Sequence, residues 1–441
     1  MRRSTQTLAE QVGQLLIMGF EATEPTARLR SMLAALQPGG VVLFARNIVD
    51  PRQTWELLRE CRRCVSTPIF CCVDMEGGTV DRLKNVITPA PSAADVFQSG
   101  NRKLFRQHGR VIGAEVRALG FNVDFAPCCD LALPPSRSVL TSRAVSPDPA
   151  DVVLYAREFL RGLADYRILG CGKHFPGLGE GSLDTHHKIA EINKPLLKLW
   201  NQDLIPYREL HAHMPFVMVS HAAYPAVTHD EVPASLSRKL ITEILRHKIG
   251  YRGVVVSDDL EMGAAILGAQ PPQPDTPVRH VREAKLANSH WSKTKLSSRT
   301  NAPREGHPER SGAAAERRAY AFRSPRNKPS GDPPIGEHTA NDADLIARAA
   351  LGTLRAGADM YLVCRRADAV MDSFQSILRE AERDRRFAAQ IAESAARVLA
   401  LKKKAALDKR RCPAPSDDVV NKLRRALWEL GEEIRLSKLL V

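Results

Sequence analysis

Residues 238–259 read RKLITEILRHKIGYRGVVVSDD. Arg238–Lys248 is patterned as a helix. After a break, Val254, Val255 and Val256 form a short β-branched run that ends in Asp258 and Asp259. A continuous apolar run this short suits a strand buried on both faces, as in a parallel sheet. Similar runs recur on either side of it: Gln14–Phe20, Val41–Phe44, Ile69–Asp74, Phe121–Pro127, Ile168–His174, Val217–His221 and Ala358–Cys364. With Gly253–Asp258 they make eight. Helix-like stretches lie between them. Pro51–Cys64 places Trp55, Leu58 and Arg62 at helical spacing, and Arg102–Leu119 and Pro149–Tyr166 are similarly amphipathic. Alternation of this kind implies βαβ units. Eight units predict the α/β class and a closed (β/α)8 TIM barrel, whose usual size is about 250 residues. An open doubly wound sheet is the alternative.

The chain has 441 residues, 44% hydrophobic and 26% charged, enough for a sizeable core. It has no apolar run of about 18 residues, so no membrane-spanning helix is expected, and no secretory signal is expected at the N-terminus. The nine cysteines are an odd number, and Cys71-Cys72 and Cys128-Cys129 are direct neighbours. Free thiols in a reducing, cytoplasmic setting are expected rather than a disulfide framework. The net charge of +14 is concentrated. Residues 271–340 carry thirteen Lys/Arg against seven Asp/Glu, and residues 401–425 carry nine against three. The rest is nearly neutral and the basic segments lack interleaved aromatics, so no nucleic-acid partner is expected.

Residues 271–340 also hold ten of the 29 prolines and few large apolar residues. Such a segment cannot bury enough surface to offset its ordering entropy, and a disordered insert between strands seven and eight is expected. Residues 1–270 are then the first part of the barrel and 341–410 the last, with a helix resuming at Asp342–Ala356. Arg386–Lys404, with Ile391, Ala395 and Val398 on one face, reads as a helix outside the barrel. Residues 411–441 read as a linker marked by Pro413 and Pro415, then a last amphipathic helix over Val419–Leu440.

In a barrel of this kind the active site lies where strands end. The strand ends here offer Arg46-Asn47, Asp74 and Glu76, Asp124 and Asp130, Lys173-His174, Ser220-His221 and Asp258-Asp259. The densest group is GKHFPGLGEGSLDTHH, residues 172–187. A carboxylate at Asp184 can accept the ring N–H of His186, fix its tautomer and raise its pKa, leaving the other nitrogen for proton transfer near neutral pH. Solvated loop residues would look the same. Asp258, presented rigidly after three β-branched residues, suits a nucleophile or charge stabiliser; a helix cap is the plainer reading, and Asp259 is expected to be that cap. In CCVDMEGGTVDRL, residues 71–83, Asp74 ends a strand and Gly77-Gly78 allow close backbone approach to a ligand. Cys61 and Cys64 lie in a helical pattern without a second pair, so zinc is not expected there.

These stretches, with PGGVVLFARN (38–47), NVDFAPCCDL (122–131), GVVVSDDLEMGA (253–264) and AGADMYLVC (356–364), resemble the β-N-acetylhexosaminidases of glycoside hydrolase family 3. The resemblance covers roughly residues 8–268 and 342–404, nearest the single-domain bacterial enzymes acting in peptidoglycan turnover. It implies a retaining hydrolase that releases terminal β-linked N-acetylglucosamine through a glycosyl-enzyme intermediate. Asp258 matches the nucleophile, His186 the general acid/base and Asp184 its dyad partner. Asp74, Arg82, Arg143, Lys173 and His174 match substrate-binding positions, Arg143 on the resemblance alone. No metal and no cofactor is implied. A monomer acting on a carbohydrate, with a near-neutral pH optimum, is expected.

Some positions depart from the family pattern. Leu178 stands where many relatives have a second histidine, and Ala144-Val145 follow Arg143 where Ser-Phe or Ser-Tyr is common. Two other functions stay open: a phosphorylase, since a histidine acid/base repels phosphate less than a carboxylate would, and a non-catalytic scaffold whose insert is a binding tail.

Overall fold

The computed structural model describes residues 6–181, 189–270, 340–407 and 412–439. Eight parallel strands close a barrel: β1 (Leu16–Met18), β2 (Gly40–Val42), β3 (Phe70–Val73), β4 (Val123–Asp124), β5 (Leu169–Phe175), β6 (Phe216–Val219), β7 (Val254–Asp259) and β8 (Met360–Val363). Each pairs with its neighbours in chain order. β1 shuts the ring by pairing with β8 (Leu16 opposite Tyr361) as well as with β2 (Ile17 opposite Gly40). The predicted closed barrel is therefore present, and the open sheet is not. β1, β2, β3, β6 and β8 are buried at every position, which is why they read as unbroken apolar runs. The insert predicted over 271–340 falls on residues 271–339, outside the described residues.

The principal helices are α1 (Leu8–Gln14), α2 (Ala27–Leu36), α3 (Pro51–Arg63), α4 (Arg102–Ala118), α5 (Pro149–Asp165), α6 (Lys239–Lys248), α7 (Ala340–Ala356), α8 (Ala367–Arg383), α9 (Arg385–Lys404) and α10 (Asp417–Leu439). Local chemistry sets their starts. Asp50 accepts from Gln53 N–H at 2.8 Å with Pro51 at the first position of α3, and Asp148 with Pro149 does the same for α5 through Ala150 N–H. Helices α4 and α5 pack against each other through two glycines. A Cβ on Gly109 would stand 2.2 Å from the Phe159 carbonyl oxygen, and one on Gly162 2.4 Å from that of Arg106. Any side chain there would push the pair apart.

Helix α10 lies against α4, burying Val420, Leu423, Leu427, Leu430 and Ile434. Arg424 ties it to the carbonyls of Val86 and Ile87. This is the amphipathic helix expected from the sequence. Under the barrel, Asp359 at the start of β8 accepts from Val255 N–H at 2.8 Å and pairs with Arg246 and Arg397, joining β7, β8, α6 and α9.

Candidate active site

The C-terminal ends of β3, β4, β5 and β7 surround one cluster of charge. Asp74 follows β3. Beyond it a two-stranded hairpin, Met75–Gly77 with Val80–Asp81, turns through Gly77 (φ 79°) and Gly78 (φ 60°). Left-handed backbone at both positions suits glycine. A Cβ on Gly77 would also come within 2.1 Å of the Pro91 carbonyl oxygen. The turn fixes Glu76, and Asp124 at the end of β4 accepts from Met75 N–H at 2.9 Å.

Glu76 is the hub of the cluster. Its carboxylate takes a bidentate pair from Arg143, Nε to Oε2 at 2.9 Å and Nη2 to Oε1 at 2.8 Å, and Oε1 also meets Lys173 Nζ at 2.7 Å. Burial alone would raise its pKa, but Arg143 and Lys173 outweigh that and hold it well below the usual carboxylate range. Lys173 also donates to Asp74 Oδ1 at 2.7 Å. Burial opposes the charge on Lys173, yet Asp74 and Glu76 raise its pKa above the ordinary value. Arg82 Nη2 stands 4.0 Å from Asp74 Oδ2, and both side chains are 18% exposed, so this edge of the cluster opens outward.

His174 links the cluster to β4. Its Nδ1 is 2.7 Å from Asp130 Oδ2, and its Nε2 is 3.0 Å from Arg143 Nη2. A guanidinium can only donate, so Nε2 accepts and Nδ1 carries the ring proton. Asp130 Oδ1 accepts the backbone N–H groups of His174 (3.3 Å) and Leu178 (2.8 Å). Burial works against its charge, and His174 with these donors brings its pKa below the ordinary value.

Asp258 is the next-to-last residue of β7, half-buried, with Oδ1 accepting from Asp259 N–H at 2.9 Å. Burial pushes its pKa up. The imidazoles of His174 and His221, the Asp259 N–H and Lys173 more than offset this, and the group stays below the ordinary value. His221, after β6, bridges to the β7 end through Nε2, 3.0 Å from the Asp259 carbonyl oxygen, and its Nδ1 meets Ser235 Oγ at 2.7 Å.

Asp259 is not the helix cap expected from the sequence. The following helix, Gly263–Gly268, begins after Met262, and Asp259 Oδ1 instead accepts from Glu261 N–H at 3.1 Å. Burial and the neighbouring Glu261 push its pKa up to about 8. The loop after β7 therefore closes on itself before the helix starts.

Of the residues expected from the sequence, Asp74, Lys173, His174 and Arg143 join in one hydrogen-bonded network through Glu76. Arg82 stands at its edge, and Asp258 faces it from β7. Asp184 and His186 lie in 182–188, outside the described residues. Glu76 and Asp130 were visible only as strand-end acids. Their partners lie 67 and 44 residues away along the chain, and no local spacing marks such pairs. The sequence also suggested no metal-ligand set, yet the structure gathers Cys128, Asp130 and His174, all buried, with their ligand atoms within 4.8 Å of one another.

Comparison with known proteins gives the lineage. The family model "Glycosyl hydrolase family 3 N terminal domain" matches residues 7–279. A beta-hexosaminidase of Bordetella pertussis is 39% identical over 250 residues, 55% of this chain and 69% of that protein. One from Pseudomonas aeruginosa is 36% identical over 255 residues, 57% of this chain and 76% of that protein. Among solved structures, a glycoside hydrolase family 3 beta-N-acetylglucosaminidase from Paenibacillus sp. superposes with a TM-score of 0.74 at 26% identity, covering 97% of this chain and 69% of that one. A family match across more than half the chain, with relatives this similar aligned over more than two thirds of their own lengths, makes the chain a member of glycosyl hydrolase family 3.

Proposed function

We propose that this protein is a retaining glycoside hydrolase that releases terminal β-linked N-acetylglucosamine, with peptidoglycan fragments as the first substrates to try. The observation that carries the reading is Asp258. It is an ionised carboxylate rigidly held at a strand end, facing cations that are already committed to Glu76 and Asp74. A carboxylate placed in this way is available to a carbon electrophile. The beta-hexosaminidase names of two relatives and the beta-N-acetylglucosaminidase name of a third support the choice of sugar.

In this reading the sugar hydroxyls lie over the Asp74–Lys173–Glu76–Arg143 network. Asp74 accepts hydrogen bonds, and Lys173, Arg143 and Arg82 donate them. In the first step an Asp258 oxygen attacks the anomeric carbon and the bond to the leaving oxygen breaks. His186, oriented by Asp184, supplies the proton that oxygen needs. In the second step water attacks the same carbon, His186 takes its proton and Asp258 departs. Two inversions retain the β configuration. Because Asp258 is held below its ordinary pKa, it is ionised throughout the neutral range, and the alkaline limb of the rate profile belongs to the imidazole.

Hydrolysis of a chromogenic β-N-acetylglucosaminide by wild type and by Asp258→Asn tests the reading. The variant should lose on the order of 10⁴-fold in kcat while still binding N-acetylglucosamine. Full activity in the variant would remove Asp258 from the role. Product analysis with and without added phosphate distinguishes hydrolysis from phosphorolysis: free sugar in both reactions fits the hydrolase, and a sugar 1-phosphate would replace it with the phosphorylase.

A further inference from the structure

Cys128, Asp130 and His174 form a buried ligand set that meets the network the sugar is proposed to occupy through the contact of His174 with Arg143. Cys128 Sγ stands 3.3 Å from Asp130 Oδ2, and His174 Nδ1 stands 2.7 Å from that same oxygen. One carboxylate oxygen thus receives both a thiol and an imidazole proton. Asp130 Oδ1 is fully used by two backbone N–H groups, which lock the carboxylate with Oδ2 facing the other two ligands. Thiolate, imidazole and carboxylate together suit borderline-soft divalent cations. Ligands about 2.0–2.3 Å from such an ion are about 3.3–3.8 Å apart in a tetrahedral site, so the imidazole–carboxylate contact of 2.7 Å must open by roughly half an ångström or more to admit one, the three ligand atoms already lying within 4.8 Å of one another.

We infer that Cys128, Asp130 and His174 form a binding site for a thiophilic divalent cation such as Zn²⁺ or Cd²⁺, and that occupancy of this site inhibits the enzyme. The inhibition half of the inference rests on the proposed glycosidase reading; the binding half does not.

The proton balance links the two halves. The cation takes the place of the Cys128 S–H proton, which leaves to solvent. It also takes the Nδ1 position of His174, and the ring proton moves to Nε2. Nε2 then carries a hydrogen facing Arg143 Nη2, itself a donor, where an acceptor stood before. Arg143 loses its contact with the ring while remaining paired to Glu76. Metal binding thus releases one proton and disturbs an arginine of the sugar network without touching Asp258. Cys128 is the ligand that gives the site its preference for soft cations. Asp130 and His174 alone would leave a two-ligand site with ordinary affinity for hard ones.

The test titrates the full-length protein with Cd²⁺ and follows three signals: sulfur-to-metal charge-transfer absorption, proton release into weak buffer, and glycosidase activity. Cys128→Val, of similar volume and outside the sugar network, serves as the variant, and Cys412→Ala controls for a more accessible thiol. Wild type and Cys412→Ala should show one charge-transfer transition per chain, about one proton released and falling activity. Cys128→Val should keep its basal rate, lose the transition and need at least about tenfold more cation for the same inhibition. Equal absorption changes in wild type and Cys128→Val, or none in either, overturn the site. Absorption and proton release without inhibition keep the binding site and overturn its link to the sugar network. An inactive protein that still shows both binding signals faults the glycosidase reading instead.

Discussion

At the scale of single residues, the site depends on how few protons it can place. His174 accepts from Arg143 and donates to Asp130, so its tautomer is set from both sides. The aspartate is the stronger of the two constraints, because its other oxygen is fixed by the backbone of His174 and Leu178. Asp130→Asn keeps the shape and removes the charge. A hydrogen bond to a charged group contributes about 1.5–3 kcal/mol, so kcat/KM on a chromogenic N-acetylglucosaminide should fall about tenfold to a hundredfold. The loss should appear mainly in KM, because the ring is proposed to position sugar rather than move protons. Steady-state kinetics with unaltered KM would deny Asp130 a positioning role. None of this was legible in NVDFAPCCDL, where Asp130 is one more acid after a strand. Its function exists only once β4 and β5 lie side by side and bring it under a histidine 44 residues on. Lys173 and Asp258 were easier to read, since each follows directly from an apolar run whose end the fold class turns into an active-site position.

At the scale of elements, helices α4 and α5 show what the apolar patterns recorded and what they left out. Their positions followed from amphipathic spacing, and the structure matches the predicted ends to within a residue. The hairpin carrying Glu76 was not legible, because strands of two or three residues leave no periodicity to read. Nor was the polar pair inside the helix contact. His108 of α4 is fully buried, its Nδ1 2.8 Å from the Tyr155 hydroxyl of α5 and its ring edge-on to Phe159 at 5.2 Å. Burial lowers its pKa to about 4. The unfolded chain takes up this proton near pH 6.5 and the folded chain only near pH 4. Between those values the unfolded state binds more protons, so stability falls as the pH drops from about 6.5 to about 4. The full effect is of the order of 3 kcal/mol. Urea unfolding at pH 7 and pH 4.5 should therefore show a smaller drop for His108→Leu than for wild type, although the variant starts lower at pH 7 through loss of the Tyr155 contact. Parallel drops in the two proteins would mean that His108 does not carry this acid sensitivity.

At the scale of the molecule, the barrel is polar at the end where strands finish and nearly closed at the end where they begin. The closure includes a lysine that a charge count places at the surface. Lys402 belongs to the basic stretch 401–425, yet it is 3% exposed, donating to Gln14 Oε1 at 2.7 Å and lying 5.0 Å from the centre of the Phe70 ring. Sequence patterning put α9 outside the barrel, and its apolar stripe does pack there; the stripe gives no sign that the last turn sends a cation inward to β3. Burial lowers the Lys402 pKa to about 7, against partial opposition from Cys72 and Cys71. The unfolded chain holds this proton up to about pH 10.4. From pH 7 to 10 the unfolded state thus binds more protons, and stability rises with pH; at and below pH 7 the whole cost of burying the charge is present. That cost is of the order of 4 kcal/mol. Lys402→Met keeps the length of the side chain, removes the proton and leaves Gln14 Oε1 without this donor, a loss of about 1–3 kcal/mol that does not vary with pH. Chemical denaturation of both proteins at pH 7, 8.5 and 10 isolates the lysine's share. Wild type should gain stability across the series, while Lys402→Met stays flat in that component, so the difference between them should shift steadily in favour of wild type as the pH rises. A difference that stays constant over the three pH values would mean that Lys402 enters the floor of the barrel already at its ordinary pKa.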